Sequence, residues 1–154
     1  MAAEFTIRRA TREDLPELLQ LYRHLMPDDV PVSTERTEEI WDRFSRYGDS
    51  AILLGLLDGR QVATCTLVVI PNFVRGGANY ALIENVVTHT DFRGQGHGKA
   101  VLLAAVDAAW SLGCYKVMLL TGSKNPATLG FYRNAGFETT KTGFEVRRLP
   151  PRER

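Results

Sequence analysis

Along the chain the spacing of apolar residues changes several times, and each change predicts a new element. Phe5 to Arg9 alternates apolar and polar positions, which predicts a short opening strand. Thr11 then stands where a helix cap belongs. Leu15, Leu18, Leu19, Tyr22 and Leu25 follow at helical spacing until Pro27 breaks the pattern. Met26 to Ser33 reads as a loop, suited equally to touching a substrate or to plain connection. A second helix is predicted from about Thr34 to Arg46, with Ile40, Trp41 and Phe44 on its apolar side and Gly48 as its stop.

Ala51 to Leu57 and Gln61 to Ile70 are β-prone runs joined across Asp58-Gly59, the dipeptide of tight hairpins. After the loop Pro71 to Asn79, another strand is predicted from Tyr80 to Val87. A helix follows from about His97 to Leu112, stopped by Gly113, and Tyr115 to Leu120 reads as a buried strand. Strand, helix and strand at this length predict a parallel crossover. Asn125-Pro126 starts a last helix, which runs to Ala135 and stops at Gly136. Phe137 to Lys141 and Phe144 to Leu149 read as two closing strands before Pro150-Pro151. The expected architecture is α/β, a mixed twisted sheet of six to seven strands flanked by about four helices. With 154 residues, 44% of them hydrophobic, it should form a single domain over residues 1–154.

Composition changes this picture little. A net charge of +1 gives no general steering toward nucleic acid or an acidic membrane, although Arg147, Arg148, Arg152 and Arg154 make the chain's end locally basic. Met1-Ala2-Ala3-Glu4-Phe5 lacks the charged-then-apolar order of a signal region, and the later apolar runs are too short to span a bilayer, so the expected location is cytoplasmic. Cys65 and Cys114 are the only two cysteines and lie far apart in sequence, which predicts reduced, buried structural thiols.

The chemistry concentrates where the strand Tyr80 to Val87 runs into Thr88-His89-Thr90-Asp91-Phe92-Arg93-Gly94-Gln95-Gly96-His97-Gly98-Lys99. Glycines at a helix start let bare backbone N–H groups approach an anion, and Arg93 and Lys99 flank the turn with positive charge. The spacing excludes two familiar phosphate loops. A Walker loop needs Ser or Thr after its Lys, where Ala100 stands, and a glycine where Arg93 stands. A dinucleotide fingerprint counted from Gly94 or Gly96 ends on Lys99 or Val101 instead of Gly. Arg93 to Gly98 instead reads Arg-x-x-Gly-x-Gly, and it resembles the pyrophosphate loop of the GNAT superfamily of acetyl-CoA-dependent N-acetyltransferases.

A second segment, Asn125 to Phe137, is similar to that family's pattern of Asn, then Phe-Tyr, then Gly-Phe, here Asn125, Phe131-Tyr132 and Gly136-Phe137. The resemblance implies the GNAT fold along nearly the whole chain, acetyl-CoA as co-substrate and a primary amine as acceptor. It places the cofactor against Val86, Val87, Thr88, Arg93, Gly94, Gln95, Gly96, His97, Gly98, Lys99, Asn125, Phe131 and Tyr132. Acetyl transfer needs a neutral amine, a stabilised oxyanion and a proton for the departing thiolate. Val86 and Val87 backbone N–H groups can serve the oxyanion if their strand splays from its parallel neighbour, as GNAT strands do here. Tyr132 can supply the proton, and Glu84 can take one from the amine directly or through water.

His97 is expected to offer its backbone amide rather than its ring, and His89 to be solvated. Neither has partners at metal-ligand spacing, so no metal is expected. Within the superfamily, Ile83-Glu84-Asn85-Val86-Val87 with Gly113-Cys114-Tyr115-Lys116 resembles the glucosamine-6-phosphate N-acetyltransferases. Those enzymes generally carry an acidic residue where this chain has Asn85, a position that, with Glu84, would meet the substrate. That departure leaves the acceptor open between an amino sugar such as theirs and another small amine, an amino acid derivative among them. Arg147 and Arg148 would either meet an acidic substrate across a homodimer interface or form a solvated basic edge. Three functions fit: a small-molecule N-acetyltransferase, a protein or peptide N-acetyltransferase, and a non-catalytic acyl-CoA-binding module.

Overall fold

The computed structural model describes residues 1–151, so Arg152 and Arg154 of the basic tail lie outside the described residues. The chain divides into two compact units, Met1 to Leu119 and a second from Leu120 on.

The first unit is built on a five-stranded sheet: β1 (Phe5–Arg9), β2 (Ala51–Leu57), β3 (Arg60–Ile70), β4 (Asn79–Thr88) and β5 (Cys114–Met118), side by side in chain order. The first four run antiparallel to their neighbours, and β5 joins β4 in parallel. The β2–β3 hairpin turns at Asp58 and Gly59 with φ of 48° and 80°, the doubly left-handed geometry that suits this dipeptide to a two-residue turn. Helices α1 (Leu15–Tyr22) and α2 (Thr34–Phe44) precede β2, and α3 (His97–Ser111) crosses from β4 to β5. Ser33 caps α2, its hydroxyl accepting from the Arg36 N–H at 3.1 Å.

Alternation along β2 sorts the layers. Leu54 and Leu56 join Leu15 and Leu18 of α1 in one buried cluster, with Ile52 and Trp41 packed against it. Gly55 faces the other way: a Cβ there would lie 2.7 Å from Val101 of α3 and 2.9 Å from the Phe5 ring. The helices α1 and α3 therefore cover opposite faces of the sheet. Thiol Cys65 is fully buried beneath α3, and Cys114 is also buried; both are free cysteines.

In the second unit, α4 (Pro126–Asn134) begins as its sequence predicts. Asn125 Oδ1 accepts from the Ala127 N–H at 2.9 Å, and Pro126 occupies the first turn. Tyr132 packs edge-on to Phe131 and Phe137, with ring centroids 5.1 and 6.4 Å away.

Among the described residues the expected six to seven strands reduce to five, because Phe137 to Lys141 and Phe144 to Leu149 form no strand. Phe144, Val146 and Leu149 are exposed, so their alternation buries no face, and β-propensity without a neighbouring strand to pair with does not hold an extended ladder. Arg147 instead ion-pairs locally with Glu145 at 2.8 Å.

Candidate functional site at the β4 bulge and the β4–α3 turn

β4 departs from ideal pairing in its middle. Glu84 pairs with Thr66 of β3 and Val87 with Thr64, so two residues of β4, Asn85 and Val86, stand opposite one of β3. Asn85 carries the bulge at φ 51°, a left-handed conformation that Asn tolerates better than most residues. Beyond the bulge the ladder is regular, and the His89 N–H donates to the Val62 carbonyl at 2.8 Å. Counted back from His89, antiparallel alternation turns the Val87 backbone groups toward β3 and those of Thr88 the opposite way. On that side β5 pairs with β4 only at Asn79, Ala81 and Leu82. β5 ends at Met118, opposite Leu82, so no residue of β5 pairs with β4 at Val86 or Thr88.

Glu84 stands across from Thr66, so both side chains share the sheet face covered by α1. Thr66 is buried and hydrogen-bonds the Tyr22 hydroxyl, whereas Glu84 is exposed. Burial pushes the Tyr22 phenol above its ordinary range. An apolar cavity of about 220 Å³ lies on this face, with Tyr22, Trp41, Thr66 and Asn85 among its walls.

At the end of β4 the chain turns through Gly94 and Gly96, at φ 73° and 84°, into α3. A Cβ at either glycine would meet no protein atom within 4 Å, so the surface of this turn is open. The first intrahelical bond runs from the Ala100 N–H to the Gly96 carbonyl, which leaves the N–H groups of His97, Gly98 and Lys99 without partners inside the helix. Together with the helix dipole they form an anion-binding end. Gly98 lies within α3, as the helix predicted from His97 has it, and is buried; unlike Gly94 and Gly96 it takes no left-handed φ. Arg93 is engaged too. Its Nε donates to the Thr88 carbonyl at 3.2 Å and its Nη2 to the His24 carbonyl at 3.4 Å, tying the turn to β4 and to the end of α1.

His89 is not solvated as its polar neighbourhood suggested. Its side chain is 14% exposed, its Nδ1 accepts from the Asp91 N–H at 3.1 Å, and its Nε2 lies 3.1 Å from Arg60 Nη2. It also stacks on His24 at 3.9 Å between centroids. Burial, then the charges on His89 and Arg93, hold His24 below the usual histidine range. These groups border a second, polar cavity of about 440 Å³ with Glu17, Arg23 and Gln61. No pattern in the sequence brings His24 to His89, since 65 positions separate them and only the fold closes the distance. The His97 ring lies against Phe5 at 4.6 Å, with Nε2 buried and unpartnered, which leaves its backbone amide as the group on the turn.

Of the sequence-predicted site residues, β4 and its turn carry Glu84 to Lys99 as one run, and α4 carries Asn125, Phe131 and Tyr132. Asn125 uses its Oδ1 to cap α4. Among the described residues no three His, Cys, Asp or Glu side chains converge as metal ligands, and no helix is long and apolar enough to cross a membrane. Both thiols are raised by burial, Cys65 up to about 12, so neither is a thiolate nucleophile at neutral pH.

The chain is 33% identical over 135 residues to the glucosamine 6-phosphate N-acetyltransferase of Trypanosoma brucei brucei, covering 87% of this chain and 89% of that protein. Among solved structures, a putative acetyltransferase from Agrobacterium tumefaciens superposes with a TM-score of 0.89 at 40% identity, over 93% of this chain and 99% of that one. The glucosamine-6-phosphate N-acetyltransferase of Arabidopsis thaliana superposes with a TM-score of 0.83 at 25% identity, over 94% and 99% of the two chains. The profile of the acetyltransferase (GNAT) family matches residues 15–137, and this chain belongs to that family.

Proposed function

We propose that this protein transfers the acetyl group of acetyl-CoA directly to the primary amine of a small molecule. The observation that supports this most strongly is the joint geometry of β4. A bulge at Asn85 and Val86 lies where β5 has ended, and the same strand leads into an open turn before the bare N-terminus of α3, which suits an anion. In this reading the pyrophosphate rests on the N–H groups of residues 94–99, and the thioester carbonyl accepts from the Val86 N–H. That N–H stabilises the oxyanion as the amine attacks. Glu84, exposed on the face next to the bulge, takes the proton of the attacking amine directly or through water. Resemblance of the segment Asn125 to Phe137 assigns protonation of the departing thiolate to the Tyr132 hydroxyl. Positioning of amine and thioester supplies the rest, with no acyl-enzyme and no metal required. The fully buried, strongly raised Cys65 supports direct attack over a thiol relay.

The chain would act as one catalytic domain in the cytoplasm, where two free buried cysteines stay reduced. Thermal denaturation with added ligands tests the cofactor. A ligand that binds only the native state stabilises it by roughly 2.7 kcal/mol at a hundredfold excess over its dissociation constant. CoA and acetyl-CoA should raise the melting temperature. Stabilisation by ATP or NAD with none by CoA would contradict the proposal.

A further inference from the structure

We propose that the acceptor is an amine on a compact apolar arm, an arylalkyl or branched alkyl amine, seated in the cavity beside the β4 bulge. This rests on the acetyl-transfer reading above. The cavity is bounded by Tyr22, Val32, Ile40, Trp41, Thr66 and Asn85, and none of the residues that line it carries a formal charge. A sugar phosphate is a poor fit. Moving a phosphate dianion into such walls without a cationic partner is strongly unfavourable, whereas an apolar arm gains by leaving water.

Size sets the arm. A cavity of 150 Å³ in another protein accepts benzene, so about 220 Å³ suits a ring with a two- or three-carbon tether or a branched chain of five or so carbons. The polar side chains of the cavity are few: Thr37 on α2, Tyr22 on α1 and, on the sheet side, Thr66 and Asn85. Asn85 precedes Val86, whose N–H the proposed function assigns to the thioester carbonyl, so an amine at the Asn85 end of the cavity stands next to the proposed thioester site. Glu84 lies on the same sheet face as Thr66. An Asn here, unlike an acid, does not hold a fixed anion against the amine. The apolar walls also disfavour the ammonium form and lower the amine's pKa, which favours the neutral nucleophile that attack requires. The cavity mouth is apolar as well, with Val32 and Ile40 partly exposed at 41% and 44%.

The test compares kcat/KM for 2-phenylethylamine and 3-methylbutylamine with that for ethanolamine and glucosamine 6-phosphate, read by thiol release from acetyl-CoA. Each buried CH₂ is worth about 0.8 kcal/mol, roughly fourfold, so three or four of them predict about a hundredfold advantage for the apolar amines. Ile40→Trp, at a half-exposed position that tolerates a larger ring, should raise KM for 2-phenylethylamine at least fivefold and leave CoA affinity unchanged. Equal or better turnover of ethanolamine or glucosamine 6-phosphate would overturn the apolar acceptor while leaving acetyl transfer intact. Absence of thiol release with every amine would overturn the activity itself. A binding readout stands apart from turnover. Trp110 is half-exposed on α3, so Trp110→Phe leaves Trp41 as the one tryptophan reporter. With CoA present, 2-phenylethylamine should change Trp41 fluorescence saturably and glucosamine 6-phosphate should not; no saturable change with 2-phenylethylamine would refute occupancy of the cavity.

Discussion

Gly96→Ala separates the conformational role of the β4–α3 turn from its proposed role in binding. Gly96 has φ 84°, a region where an L side chain is strained by roughly 1–2 kcal/mol. No protein atom lies within 4 Å of the Cβ it would gain, so no steric clash inside the protein adds to that strain. For a chain of this length the strain should lower the melting temperature by roughly 2–8 °C, and the domain should still fold. Gly96→Asn is the companion variant, because Asn tolerates the left-handed region and should melt closer to wild type. If the CoA pyrophosphate rests on the turn, both side chains intrude on space the ligand uses. The dissociation constant for CoA should then rise at least tenfold, about 1.4 kcal/mol, in both variants despite their different stabilities. Calorimetric titration of the folded variants measures this. A change in affinity under twofold in both would show that the glycine serves only the fold of the turn.

Other expectations follow from the same site. Tyr132→Phe should lower kcat by roughly 10² to 10⁴ with little change in acetyl-CoA affinity, and the defect should persist at high pH; wild-type rates at every pH would remove Tyr132 from the mechanism. The Glu84→Gln defect should instead shrink as pH rises toward the amine's own pKa, which a pH–rate profile shows directly. Cys65→Ala should keep full acetyl transfer while losing on the order of 1 kcal/mol of stability from its fully buried site; a folded, CoA-binding variant without activity would point to a thiol intermediate. The Arg8 guanidinium, bonded to Asp14 at 2.7 and 2.8 Å, holds that carboxyl at about 2, below its ordinary 3.8. A depressed carboxylate stabilises the fold above its unfolded pKa and loses that contribution as pH falls through the folded one. Acid titration should therefore show about 1 kcal/mol, discounted for solvent screening, disappearing between roughly pH 4 and 2, and Asp14→Asn should abolish that component.

Much of this site is readable from the sequence because its devices are local. Asp58-Gly59, Asn125-Pro126 and the Gly94 to Gly98 spacing each encode their geometry within a few residues, and each forms the predicted turn or helix start, with Gly94 and Gly96 but not Gly98 left-handed. What the sequence hides depends on partners distant along the chain. The bulge at Asn85 exists only relative to Thr64 and Thr66 of β3, and nothing in Glu84-Asn85-Val86 announces an extra residue. The same holds for the His24–His89 stack and for the capture of Arg93 by two carbonyls. Phe144 to Leu149 fails in the opposite sense. Its alternation is a true local preference, but a strand is a pairwise object, and these side chains remain exposed.

The most direct test of acetyl transfer is a single experiment on the full chain: acetyl-CoA with a panel of primary amines, free thiol followed continuously and products weighed by mass spectrometry. Direct acetyl transfer predicts amine-dependent thiol release matched one to one by an N-acetylated amine. Saturable binding of acetyl-CoA with no acetylated product from any amine would contradict it and leave an acyl-CoA-binding module in its place.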